Sequence, residues 1–228
     1  MSHSAPDERP PRGALQELAE DDGSRKTFFK MVGGAGAAGA FSVFLAACGS
    51  GKKKEKTTSS QHAGATSEGT RGDVKILNYA LTLEHLEVAF YKAVVSRRLF
   101  KGAQAAMIKK FADQEAEHEQ TLTAAVKKLG GTPAAKPKPK LPALTGAKQV
   151  LELASTFENL GAAAYLGQAH KIQSREVLAT ALAIHTVEAR HAAALNMLLG
   201  KSIVPDGPFA EPASMNEVMS MVKPFIAG

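Results

Sequence analysis

One pattern limits what this chain can fold into more than any other. Glu115 and His118 stand three residues apart in FADQEAEHEQT, and Glu188 and His191 repeat the same Glu-x-x-His spacing 73 residues later. On an α-helix that spacing puts a carboxylate and an imidazole side by side on one face. A single copy is weak, because most charged helix positions are simply exposed. The second copy comes with company. Glu84 precedes Tyr91 by seven residues, as Glu158 precedes Tyr165, and each Glu-x6-Tyr lies about thirty residues ahead of its Glu-x-x-His.

These residues fall on apolar seams. Leu77, Ala80, Glu84, Glu87, Tyr91 and Val94 recur at 3-4-3-4-3 spacing, the rhythm of a bundle helix, with Asp73 as a plausible N-cap. A second helix carries Ile108, Phe111, Glu115, His118, Leu122, Ala125 and Leu129 and stops at Gly130-Gly131. A third, from about 147 to 173, carries Leu151, Ala154, Glu158, Gly161, Tyr165 and Gln168. A fourth carries Leu178, Ala181, Ile184, Glu188, His191, Leu195 and Leu198 and ends at Gly200. Between the pairs, GGTPAAKPKPKLPALTG is too rich in proline for a helix. Extended at ~3.1 Å per residue it is long enough to cross a bundle end to end. Two short-turn helix pairs joined by one crossover follow. After Gly200 the chain is irregular until Ser214-Met215-Asn216-Glu217, a capping box that opens a short helix with no chemistry of its own.

The rest of the chain reads as delivery. Arg25-Lys26 precede a weakly apolar run, Met31–Ala47, too short for a comfortable span and closed by small residues and Cys48. SRKTFFK resembles the twin-arginine translocation motif, with Lys26 in place of the second arginine. Leu45-Ala46-Ala47-Cys48 resembles a bacterial lipobox, which implies lipidation of Cys48. Cys48 is the single cysteine, so an intrachain disulfide is ruled out. The expected organisation is an export signal over 1–48, a flexible Gly/Ser/Thr/Lys tether over 49–72, the bundle over 73–200 and an extension over 201–228. The protein is then extracytoplasmic and held to the membrane through its N-terminal lipid. The net charge of +6 concentrates in GKKKEK and KPKPK, in connectors without interleaved aromatics, which argues against a nucleic-acid partner.

Four glutamates and two histidines on apolar seams carry the chemical argument. Burying even one unpaired carboxylate costs several kcal/mol, so a bundle keeps four only with compensating charge. Two divalent cations supply it. Oxygen-rich ligands with a minority of imidazole suit iron or manganese, with zinc also compatible.

From Asp73 to Gly200 the chain resembles the ferritin-like superfamily of di-iron and di-manganese carboxylate proteins, in which two helices each give a Glu and two give Glu-x-x-His. The resemblance implies an all-α four-helix bundle. It implies Glu84, Glu115 and His118 as metal ligands of one half and Glu158, Glu188 and His191 of the other, with Glu115 and Glu188 bridging. Tyr91 and Tyr165 match tyrosines that follow the ligand glutamate by two turns, and are the candidate catalytic side chains, as hydrogen-bond or electron donors. Glu87 resembles the extra glutamate of rubrerythrin-type peroxidases, but lies on the first helix instead of the third. It reads either as a seventh ligand or as a seam residue paired to a basic group. His185 reads as a core histidine, a partner of a ligand or an extra ligand. His85, Glu117 and Glu119 point off the seam and are expected to be solvated. The implied chemistry is oxidation or reduction at the metals with oxygen or peroxide; the rival reading is a non-catalytic, metal-stapled binding or stress-protection module at the cell surface. A homodimer is compatible with either.

Overall fold

The computed structural model describes residues 67–227. The expected export signal, Cys48 and the tether up to residue 66 lie outside the described residues. Four long helices form the bundle: α1 (Ser67–Arg97), α2 (Gly102–Lys128), α3 (Ala147–Ala169) and α4 (Arg175–Leu198). A short α5 (Met215–Val222) and one 3-10 turn (Lys223–Phe225) follow. α1 packs on α2 and α3 on α4 as hairpins, which meet α1 against α3 and α2 against α4. Among the described residues no helix is long and apolar enough to cross a membrane.

The stop signals work as their chemistry requires. Gly130 and Gly200 follow the last residues of α2 and α4 at φ +76 and +68, the left-handed region that glycine enters without a Cβ penalty. The next amides, of Gly131 and Lys201, return to the carbonyls of Val126 and Asn196. α5 opens on the anticipated box: Ser214 accepts from the Glu217 amide and the Glu217 carboxylate accepts from the Ser214 amide.

Asp73 corrects the expected start of α1. The helix begins at Ser67, within the stretch expected to be tether, so Asp73 is an interior residue and fully buried. Its carboxylate crosses to the turn between α3 and α4, where Oδ1 accepts from the Gln173 amide and Oδ2 from the Ser174 amide, both at 2.8 Å. It therefore caps another element and locks the hairpins together.

The core is layered along the bundle axis. Phe90, Tyr91, Val94, Ile108, Phe111, Leu151, Ala154 and Leu195 fill one end. Leu77, Ala80, Leu81, Leu122, Val126, Val177, Ala181 and Ile184 fill the other. On every helix the seam glutamates lie between these two apolar blocks. The crossover runs past both: Asn78 on α1 bonds the backbone of Thr132 and Ala134, and Leu144 enters the opposite block. The C-terminal segment closes the outer face of α1 and α3 through Val218 and Val222. It pairs with the crossover at Lys140–Phe225 and Ala227–Lys138.

Replacing Asp73 with Ala removes the acceptor of two part-buried amides and is expected to cost about 2 kcal/mol. Asp73→Asn, which keeps only one acceptor oxygen, is expected to lose less. Urea unfolding of the full chain measures both, and an unchanged midpoint in Asp73→Ala would contradict the cross-hairpin cap.

Candidate metal centre

Each functional side chain reaches the bundle axis because its helix puts it on the seam midway between two apolar blocks. Glu84, Glu115, Glu158 and Glu188 are fully buried, and Glu87, His118 and His191 nearly so. Ligand atoms of Glu84, Glu115, His118 and Glu188 lie within 4.8 Å of one another, and so do those of Glu115, Glu158, Glu188 and His191. The two groups share Glu115 and Glu188.

Glu115 spans both halves directly. Its Oε2 lies 3.0 Å from His118 Nδ1 and its Oε1 lies 2.9 Å from His191 Nδ1. His118 Nδ1 also has Glu188 Oε1 at 2.9 Å and Glu84 Oε2 at 3.5 Å, while His191 Nδ1 has Glu158 Oε2 at 3.1 Å. One N–H can aim at only one of these oxygens. Accordingly Glu84 Oε2, Glu115 Oε1 and both oxygens of Glu188 are buried without a hydrogen bond, although three of the four sit within ion-pair distance of an imidazole. Buried carboxylate oxygens that outnumber the N–H groups able to reach them are placed as a cation needs them.

The tyrosines tie the halves crosswise. Tyr91 on α1 donates to Glu158 Oε1 on α3, and Tyr165 on α3 donates to Glu84 Oε1 on α1. Each phenol thus serves the opposite half's glutamate and leaves that carboxylate's second oxygen facing the centre. Burial, followed by the nearby carboxylates, raises both phenols well above the ordinary range. They are held as neutral donors.

Without a metal the cluster holds itself together with protons. Burial raises Glu84 to about 7 and pushes Glu87 and Glu188 well above the usual carboxylate range, with neighbouring carboxylates adding to the last two. Glu115 is the exception: burial opposes its charge, yet His118 and His191 hold it down to about 2. Burial also opposes the charge on the imidazoles, but their carboxylate partners raise His191 to about 9 and His118 further.

Glu87 is buried beside the centre but outside both converging groups, its charge opposed by burial and by Glu84, Glu115 and Glu158 and favoured by the His118 imidazole. A Cβ on Gly161 would lie 3.2 Å from both Glu87 Oε1 and Glu188 Oε2, so the glycine makes room for these two carboxylates. His185 is half-buried, lies outside both converging groups and bonds the Ala162 carbonyl through Nδ1 at 3.0 Å. Glu117 is exposed as expected. His85 and Glu119 are not solvated as expected. His85 is buried, with Nε2 3.2 Å from the Ala134 carbonyl and Nδ1 3.4 Å from Glu119, which pairs with Lys136 at 2.6 Å. The crossover covers this face of α1 and α2, and a single-helix pattern cannot show such a cover.

The sequence reasoning missed Gln114, whose Oε1 lies 2.9 Å from His191 Nε2. Beside Glu115 it looks like any polar helix residue. Gly161 did carry a signal, since a glycine inside a helix seam costs about 1 kcal/mol against alanine and calls for a packing reason.

The described bundle can now be compared with known proteins. A family model described as a ferritin-like domain matches residues 72–201, more than half of the chain. The chain belongs to the ferritin-like family. Among solved structures, this ferritin-like chain is similar to a conserved hypothetical protein from Mycobacterium tuberculosis at 21% identity and a TM-score of 0.52. The alignment covers 64% of this chain and 99% of that one, and at this identity the likeness concerns the fold. No curated protein matches the chain. The ferritin-like fold and the buried glutamate and histidine groups together give a site that can hold metal.

The proton-held cluster has a pH signature. Glu84 and His191 both have folded values above their ordinary ones, so the stability they contribute is present at low pH and lost as pH rises through about 7 and about 9. The melting temperature of metal-free protein is expected to fall by several degrees between pH 6 and pH 9.5. A flat or rising profile over that window would contradict the assignment.

Proposed function

We propose that this ferritin-like protein holds a dinuclear iron or manganese centre between its helix hairpins and uses it for redox chemistry with oxygen or peroxide. The observation that carries the reading is Glu115, one oxygen toward each histidine, inside two buried ligand groups that also share Glu188. Glu84 and His118 would hold one ion and Glu158 and His191 the other, with Glu115 and Glu188 common to both groups. Such a pair of ions would supply redox chemistry toward oxygen or peroxide when bound. The chain's own part is to bind, orient and exclude water. Tyr165 and Tyr91 fix the terminal glutamates through hydrogen bonds. The apolar blocks above and below keep solvent from the layer. Glu87, next to Glu188 over Gly161, is placed to hold a proton beside the bridging carboxylate.

The delivery signals support a working location outside the cytoplasm, on a lipid anchor at Cys48. A twin-arginine route carries folded protein, which suits a metal loaded before export. Tethering also argues for redox work at the membrane surface over storage in a closed shell.

Because these ligands bind metal in their deprotonated forms, binding releases protons and affinity is expected to rise with pH between about 6 and 9. Full-chain protein loaded anaerobically with Fe(II) is expected to oxidise it rapidly on addition of peroxide and to turn over with a reductant. Glu115→Ala, which removes an oxygen from each half, is expected to reduce binding from two ions to none, with no oxidation above the background rate. Metal analysis and stopped-flow absorbance measure these outcomes. Bound metal without oxidation, and a melting temperature that collapses on chelation, would replace the redox reading with a structural staple.

A further inference from the structure

The two halves of the centre are related by the repeat but are not built alike. Glu115 corresponds to Glu188 and His118 to His191, so Gln114 corresponds to Val187 and Phe111 to Ile184. The members of each pair differ in what they offer the histidine of the opposite half.

His191 is held on two sides. Its Nε2 meets Gln114 Oε1 at 2.9 Å, and the Phe111 ring stacks on it with centroids 3.9 Å apart and 30° between planes. An amide oxygen can only accept, so Nε2 keeps its proton and Nδ1 is the nitrogen left to face Glu115 and Glu158. The ring plane is fixed before any ligand arrives, and Nε2, held on Gln114, keeps its proton when Nδ1 gives its own up to a ligand. His118 has neither support. Among the described residues no acceptor meets its Nε2 and no ring stacks on it; the equivalent positions hold the aliphatic Val187 and Ile184. Its side chain is 11% exposed against 3% for His191. The half with the loosely held ligand is also the half nearer solvent.

We propose that Gln114 is a positioning residue that makes the two metal positions unequal. The Glu158/His191 position fills first and retains its ion, and the Glu84/His118 position binds more weakly and exchanges with solvent. This rests on the dinuclear reading above and adds an order of filling to it. Partners that orient a ligating histidine are typically worth 10–100-fold in metal affinity, enough to separate two sites otherwise matched in their carboxylates.

The test is calorimetric titration of metal-free full chain with Fe(II) under argon. Two steps separated by at least about tenfold are expected. Gln114→Leu should weaken the tighter step by about 10–100-fold and leave the weaker one unchanged. Gln114→Glu, which still accepts from Nε2, should keep the tight step. Val187→Gln offers His118 the missing acceptor and should tighten the weaker step. The unchanged step in each variant is the internal control for folding, and rescue by Gln114→Glu separates positioning from packing. Two indistinguishable steps in the wild type, or a Gln114→Leu variant that weakens both or neither, would overturn the proposal and leave the dinuclear reading standing. Absence of Fe(II) binding in the wild type would overturn both.

Discussion

Five carboxylates in one buried layer are the constraint on which the rest of this structure depends. Glu84, Glu87, Glu115, Glu158 and Glu188 lie between two apolar blocks, with two imidazoles as the basic groups among them. No arrangement of that layer is neutral by pairing alone. The metal-free protein answers with protons, which is why most of these carboxylates are pushed upward while Glu115, between the two histidines, is pushed down. The two divalent cations proposed above would answer the same problem and satisfy the oxygens that protons leave unpartnered. On that reading structure and function have one origin: the layer that makes the bundle costly to fold alone is the layer that would draw metal in.

Around that layer the protein spends its specific interactions on alignment. Crosswise tyrosines, the Asp73 cap between hairpins and the crossover laid along α1 all connect elements that a simple pair of hairpins would leave free to slide. A metal-holding layer spread over four helices tolerates little sliding, because side chains from α1 to α4 must stay within a few ångströms of one another. The C-terminal segment belongs to the same scheme. Gly167 lets it approach closely, since a Cβ there would fall 1.9 Å from the Ala213 carbonyl oxygen, and Phe225 packs edge-on against Phe157.

Much of this was legible in the sequence because the repeat is written in helical periodicity. The four helices, the glycine stops, the crossover and the capping box of α5 all follow from local patterns. So did the choice of Glu84, Glu115, His118, Glu158, Glu188 and His191 as residues sharing one layer. What was not legible depends on neighbours from other elements. Asp73 looked like a cap because it preceded an apolar rhythm, yet its partners lie 100 residues away. His85 looked solvated because one helix does not reveal that the crossover covers it. Gln114 was indistinguishable from surface polarity, and its importance appears only when His191 arrives from α4. The tyrosines were paired in sequence with the glutamates of their own helices, and in space with those of the opposite half.

The central proposal is that two cations would share Glu115 and Glu188. Anomalous diffraction from crystals of the protein grown with manganese or iron tests it most directly. The account predicts two anomalous peaks, one beside Glu84 and His118 and one beside Glu158 and His191, with Glu115 between them. A single peak elsewhere, or none with the carboxylate layer intact, would contradict it.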